Sequence, residues 1–195
     1  MSDKIVNKIE DLFKESIRVK EDTSRLQSGV LAKIVEVICV SMKSGGKVLI
    51  FGNGGSAADS QHIAGEFIGR FKKERKSLAA VALTTDTSIM TSISNDYGFD
   101  KVFARQIEGL GKPGDVAIGI STSGNAANVV LGLEQAKKMG LRTVAWTAGS
   151  GGKIGKIAEL VLLIPSGNTP RIQEAHITCG HIICELVEEE LYGRG

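Results

Sequence analysis

Five short apolar runs punctuate the chain, and each stops at a turn signal. They are KVLIF (47–51), LAAVAL (78–83), DVAIGI (115–120), RTVAW (142–146) and ELVLLI (159–164). Runs of this length with little alternation suit strands buried on both faces. Helical stretches separate them, such as Asn125–Met139 and, less clearly, Thr87–Gly109. Strands alternating with helices imply an α/β fold: one five-stranded parallel sheet sandwiched by helices. Ahead of the first run, Ile5, Ile9, Leu12, Phe13 and Ile17 recur at helical spacing, and Leu31, Ile34, Val35, Val37 and Ile38 do so again. Residues 3–43 therefore read as two N-terminal helices packing on the sheet. A long helix follows the last run, from Thr169 to about Leu191, with Pro170 suited to its first turn. With 195 residues, no repeat and no low-complexity linker, the expectation is a single domain over 1–195.

The formal net charge is only +2, with no basic tract or aromatic ladder, so neither nucleic acid nor a membrane surface is an expected partner. Charges run throughout the first 26 residues, unlike a signal or transit peptide, and no apolar run approaches the ~20 residues of a membrane helix. Cys39, Cys179 and Cys184 lie in apolar helical contexts and form no CxxC. They read as reduced core thiols of a cytoplasmic protein.

In an open parallel sheet, ligands bind beyond the carboxyl ends of the strands. Gly52-Asn53-Gly54-Gly55-Ser56 occupies that place after the first run. Glycines let the backbone approach an anion, Ser56 could cap the following helix, and first-turn N–H groups attract phosphate. A dinucleotide would want an acidic residue about 20 positions on; the nearest counterpart, Asp86, comes some ten positions late. A sugar phosphate fits better. Ser121-Thr122-Ser123-Gly124-Asn125 supplies a second hydroxyl-rich strand–helix junction, with no Walker lysine after its glycine.

His62 and Glu66 share one face of the helix after the glycine turn, as metal ligands or as a base with its orienting neighbour. Gln173 and His181 lie eight apart on the last helix, about 12 Å along its axis. If both serve one kind of site, a second subunit could supply one of them.

GNGGSAADSQH (52–62), NDYGF (95–99), ISTSGN (120–125) and RIQEAH (171–176) together resemble the sedoheptulose 7-phosphate, or phosphoheptose, isomerases among the sugar isomerase (SIS) domain proteins. The resemblance implies a SIS fold and conversion of D-sedoheptulose 7-phosphate to D-glycero-D-manno-heptose 7-phosphate. That is the first step toward nucleotide-activated heptose for bacterial surface glycans such as lipopolysaccharide. By resemblance, Glu66 is the general base and His181 its acid/base partner. His62, Glu66, Gln173 and His181 hold one zinc ion per subunit. Asn53, Gly54, Gly55, Ser56, Glu66, Asn95, Asp96, Ser121, Thr122, Ser123 and Gln173 contact the substrate, in a homotetramer with shared active sites. The chain departs from many members at Ala126, where they have serine, and from some at Pro170, where they have aspartate. An alternative is a non-catalytic SIS-domain protein that binds the replication initiator; that relative lacks the counterparts of Glu66 and His181. Sugar-phosphate-sensing regulators usually add a DNA-binding domain, for which there is no spare length.

Overall fold

The computed structural model describes residues 2–193. The chain runs α1 (Ser2–Lys43), β1 (Val48–Gly52), α2 (Gly55–Ile68), β2 (Ala80–Ala82), α3 (Thr87–Tyr97), a 3-10 turn (Phe99–Lys101), α4 (Val102–Leu110), β3 (Val116–Ile120), α5 (Ala127–Lys138), β4 (Arg142–Ala148), α6 (Ile154–Ile157), β5 (Leu160–Ile164) and α7 (Thr169–Tyr192). All five apolar runs become strands of one parallel sheet, in the order β2-β1-β3-β4-β5. The order reverses between β1 and β3, which opens a crevice beyond their carboxyl ends. Gly52 and Ile120 lie in register there.

Alternate strand residues feed two cores. Val48, Ile50, Ile118 and Val144 pack with Ile34 and Ile38 of α1, Ile63 and Phe67 of α2, and Ile183 of α7. Leu49, Phe51, Ala117 and Ala145 pack with Phe103 and Ile107 of α4 and Val129 and Leu133 of α5. Both faces are covered, so the strands carry apolar residues without alternation.

The two helices expected over 3–43 are one 42-residue helix, about 60 Å long. The apolar period fades in sequence between Ile17 and Leu31, yet it continues in the structure through Val19 and Thr23, both buried. The Thr23 hydroxyl donates to the Val19 carbonyl (2.7 Å), so a polar residue fills an apolar position. Gly29 alone costs about 1 kcal/mol against alanine, too little to break a helix anchored at its C-terminal half. α1 also covers the edge strand: Gln27 Oε1 accepts the Leu163 N–H (3.1 Å). Ile5, Ile9, Phe13 and Ile17, on its N-terminal half, are exposed.

Candidate active site

β1 ends at Gly52, and Gly54 is the N-cap of α2 with φ +56°, a conformation that a Cβ would strain. No side chain caps α2. Ser56, expected to do so, lies buried inside the first turn, where its carbonyl accepts the Ser60 hydroxyl (2.7 Å). No side chain takes a first-turn N–H; Ser56 and Ala57 donate theirs to the Asn53 and Gly54 carbonyls (3.0 Å each), and the positive end of the helix dipole here favours an anion.

Beyond β3, Ser121 is buried, Thr122 half-buried and Ser123 exposed. Ser121 donates its N–H to the Trp146 carbonyl (2.9 Å). Asn125 braces the loop by donating to the Ser123 carbonyl (2.9 Å) and accepting the Lys153 N–H (3.2 Å). α5 begins at Ala127 with Ala126 as an uncapped N-cap, so the three hydroxyls are not spent on capping. Asn53 and Asn128 join the two loops by a reciprocal amide pair, 2.9 Å each way. Asn128 escaped sequence reading; its only signal was a lone amide ahead of Val129 and Val130.

α2 and α7 pack side by side and parallel, meeting in steps along their lengths. At the loop end, a Cβ on Gly55 would stand 2.5 Å from the Gln173 amide nitrogen. One further on, a Cβ on Gly180 would stand 2.8 Å from Ile63. Glycine at these two positions lets the helices approach closely. Beside the second, His62 Nε2 and His181 Nε2 are 2.9 Å apart, and Glu66 Oε1 lies 3.2 Å from His62 Nε2.

His62, Glu66 and His181 present ligand atoms all within 4.8 Å of one another. A tetrahedral ion with bonds of ~2.0 Å separates its ligand atoms by ~3.3 Å, so two imidazole nitrogens and a carboxylate oxygen at these spacings fit zinc. Gln173, the fourth predicted ligand, sits against Gly55 at the other end of the seam. His181 reaches His62 and Glu66 from its own chain, so the spacing argument for a second subunit no longer applies to His181. The Phe71 ring, which sequence reading also missed, lies 5.5 Å from the His181 ring. Asp59, one turn before His62, is half-buried with its Oδ2 lacking a protein partner. Burial pushes its carboxyl up to about 6, against the pull of His62.

Asn95 and Asp96 stand apart. They are exposed on α3, which has no buried residue, and the Asn95 amide donates to Asp96 (2.8 Å). His176, in the RIQEAH segment, is fully buried beside Trp146 with Nε2 3.4 Å from the Thr147 carbonyl, and belongs to the core. The three cysteines are buried free thiols, as expected, and burial raises each: Cys39 to about 11, Cys179 and Cys184 to about 12. Among the described residues, no helix is long and apolar enough to cross a membrane.

The family model described as SIS domain matches residues 11–148. The phosphoheptose isomerase of Aquifex aeolicus (strain VF5) is 54% identical over 185 residues, 95% of this chain and 97% of that protein. The phosphoheptose isomerase of Thermodesulfovibrio yellowstonii is 50% identical over 188 residues, 96% of this chain and 94% of that one. The structure of phosphoheptose isomerase from Neisseria gonorrhoeae matches with a TM-score of 0.90 at 41% identity, over 95% of this chain and 99% of the other. That of a phosphoheptose isomerase from Francisella tularensis matches with a TM-score of 0.91 at 33% identity, over 94% and 98%. With half its residues shared along nearly its whole length, and the same fold, the chain belongs to the phosphoheptose isomerase family of SIS-domain proteins.

Proposed function

We propose that the protein isomerises D-sedoheptulose 7-phosphate to D-glycero-D-manno-heptose 7-phosphate, an aldose–ketose isomerisation that opens the route to nucleotide-activated heptose. The observation that carries this reading is the convergence of His62, Glu66 and His181 a few helical turns beyond an uncapped helix start at the switch point of the sheet.

The phosphate is held at the turn of Asn53, Gly54, Gly55 and Ser56 and at Ser121, Thr122 and Ser123, whose hydroxyls donate to its oxygens. Gln173, packed on Gly55, contacts the substrate at the phosphate end. The grip directs C1 and C2 toward Glu66. Glu66 takes the C1 proton of the ketose, the electron pair forms the C1–C2 double bond of an enediol, and the same carboxyl returns the proton to C2. Oε1 faces His62, so the second carboxylate oxygen takes the proton. His181 moves the hydroxyl proton between O1 and O2 and assists opening of the cyclic sugar. A zinc ion held by His62, Glu66 and His181 of one chain, with Gln173 of a second copy as the fourth ligand, would polarise the carbonyl and stabilise the developing negative charge.

The working form is a homotetramer in the cytoplasm. The exposed apolar residues of α1 and the unburied α3 support assembly, with Asn95 and Asp96 contacting substrate in a site shared between copies. The test is an NMR assay with sedoheptulose 7-phosphate on zinc-loaded protein, before and after chelation. Appearance of the aldose phosphate and its loss on chelation are expected. Glu66→Gln should lower kcat at least a thousandfold while the circular dichroism spectrum stays that of the parent; a folded, fully active variant removes Glu66 as the base.

A further inference from the structure

Behind the candidate site, one carboxylate gathers four donors. Glu188, near the end of α7, accepts the N–H groups of Phe71 (3.0 Å), Lys72 (3.0 Å) and Lys73, and Nε of Arg75 (2.9 Å). Both side chains of the Glu188–Arg75 pair are 2% exposed. Burial alone would raise the Glu188 carboxyl, yet the backbone donors and Arg75 hold it below its ordinary range. Arg75 also reaches back to α2, donating to the carbonyls of Glu66 (2.9 Å) and Phe67 (2.9 Å). These lie among the last four carbonyls of α2, which lack helical partners, and a cation suits that end of the dipole.

A buried ion pair is an inefficient source of stability, because desolvation consumes much of the Coulombic gain. Its retention invites another account, and its contacts supply one. Two of its bonds end on the backbone of Glu66 and of Phe71, and the Phe71 ring backs His181 at 5.5 Å. The clamp thus bonds the Glu66 backbone directly and reaches the His181 ring through Phe71, without touching the phosphate loops.

We infer that Glu188 and Arg75 are positioning residues for the isomerisation: they fix the end of α2 and the turn at 69–73 so that Glu66 and the Phe71-backed His181 ring keep their reacting geometry. The inference rests on Glu66 and His181 being the proton-moving pair. A staple that merely tied down the turn would change stability and leave the chemistry alone.

Steady-state kinetics on the full-length, zinc-loaded protein separate the two. Glu188→Gln keeps the volume but turns an NH2 toward a donor. Arg75→Lys keeps the charge but loses the fork to the Glu66 and Phe67 carbonyls. Both should lower kcat at least tenfold with KM within threefold of the parent. Phe71→Leu should do the same, whereas Phe71→Tyr, which keeps the ring, should hold kcat within twofold. Parental kcat in Glu188→Gln, Arg75→Lys and Phe71→Leu, beside an inactive Glu66→Gln, overturns the inference alone. An active Glu66→Gln overturns the underlying assignment and the inference with it. If Glu188→Gln does not fold, the Arg75 and Phe71 variants decide by the same criterion.

Discussion

Ala126 stands at the start of α5 with φ −61° and ψ 118°, the extended geometry from which a hydroxyl can accept a first-turn N–H. Its methyl group leaves that turn uncapped. Ala126→Ser is expected to raise stability by about 1 kcal/mol, read as a higher urea midpoint at constant slope. A lower KM with an unchanged midpoint would instead mean that the hydroxyl bonds substrate. His176 acts through proton linkage. Burial depresses it to about 4, against a lesser pull from its bond to the Thr147 carbonyl. Above the unfolded pKa of ~6.5 both states are neutral and nothing is lost; between there and about 4 the unfolded chain binds the extra proton, so stability falls. The full loss is about 3 kcal/mol. Asp59, raised to about 6, runs the opposite way over the same range. The quantity to measure is therefore the stability difference between parent and His176→Gln from pH 7.5 to 4. It should close on acidification; a constant difference removes His176 as the titrating group.

At the scale of elements, the seam between α2 and α7 is set by small residues. A Cβ at Gly180 would meet Ile63 at 2.8 Å and Trp146 at 3.4 Å. Gly180→Ala should cost about 1–3 kcal/mol through overpacking and lower kcat by pushing His181 away from His62. Parental melting temperature and kcat would show that Ile63 simply turns aside. The five strands and the long last helix were legible because runs buried on both faces stay apolar along their length. The continuity of α1 was not, because Thr23 satisfies its hydroxyl on its own helix and so reads as a gap. His62 and Glu66 were legible as a pair because helical spacing is local. Their meeting with His181, the Asn53–Asn128 pair and the Glu188 clamp each join residues 75 or more positions apart, and no periodicity reports such partners. Ser56 as a cap was a local inference that failed because the helix starts two residues earlier than that cap requires, at Gly55 with Gly54 as its N-cap.

For the whole molecule, the decisive surface is the bare half of α1. Ile5, Ile9, Phe13 and Ile17 are exposed along one stretch of a helix whose other half is in the core. A contiguous apolar surface of this kind marks association. Light scattering should give the mass of four 20.7 kDa chains, and a Phe13→Lys, Ile17→Lys double variant should give smaller species with reduced activity. A fully active monomer at any concentration would remove the shared site. The parallel run of α2 beside α7 carries one last consequence. Seven residues of helix, about 10 Å, separate Gly55 from His62, and no glycine or proline interrupts them. On the proposed assignment the phosphate is gripped at one end of that rigid interval and the reacting carbons are met at the other. The seam then works as a ruler: a shorter sugar phosphate, held by the same phosphate, would stop short of Glu66, and selection among substrates becomes a matter of chain length.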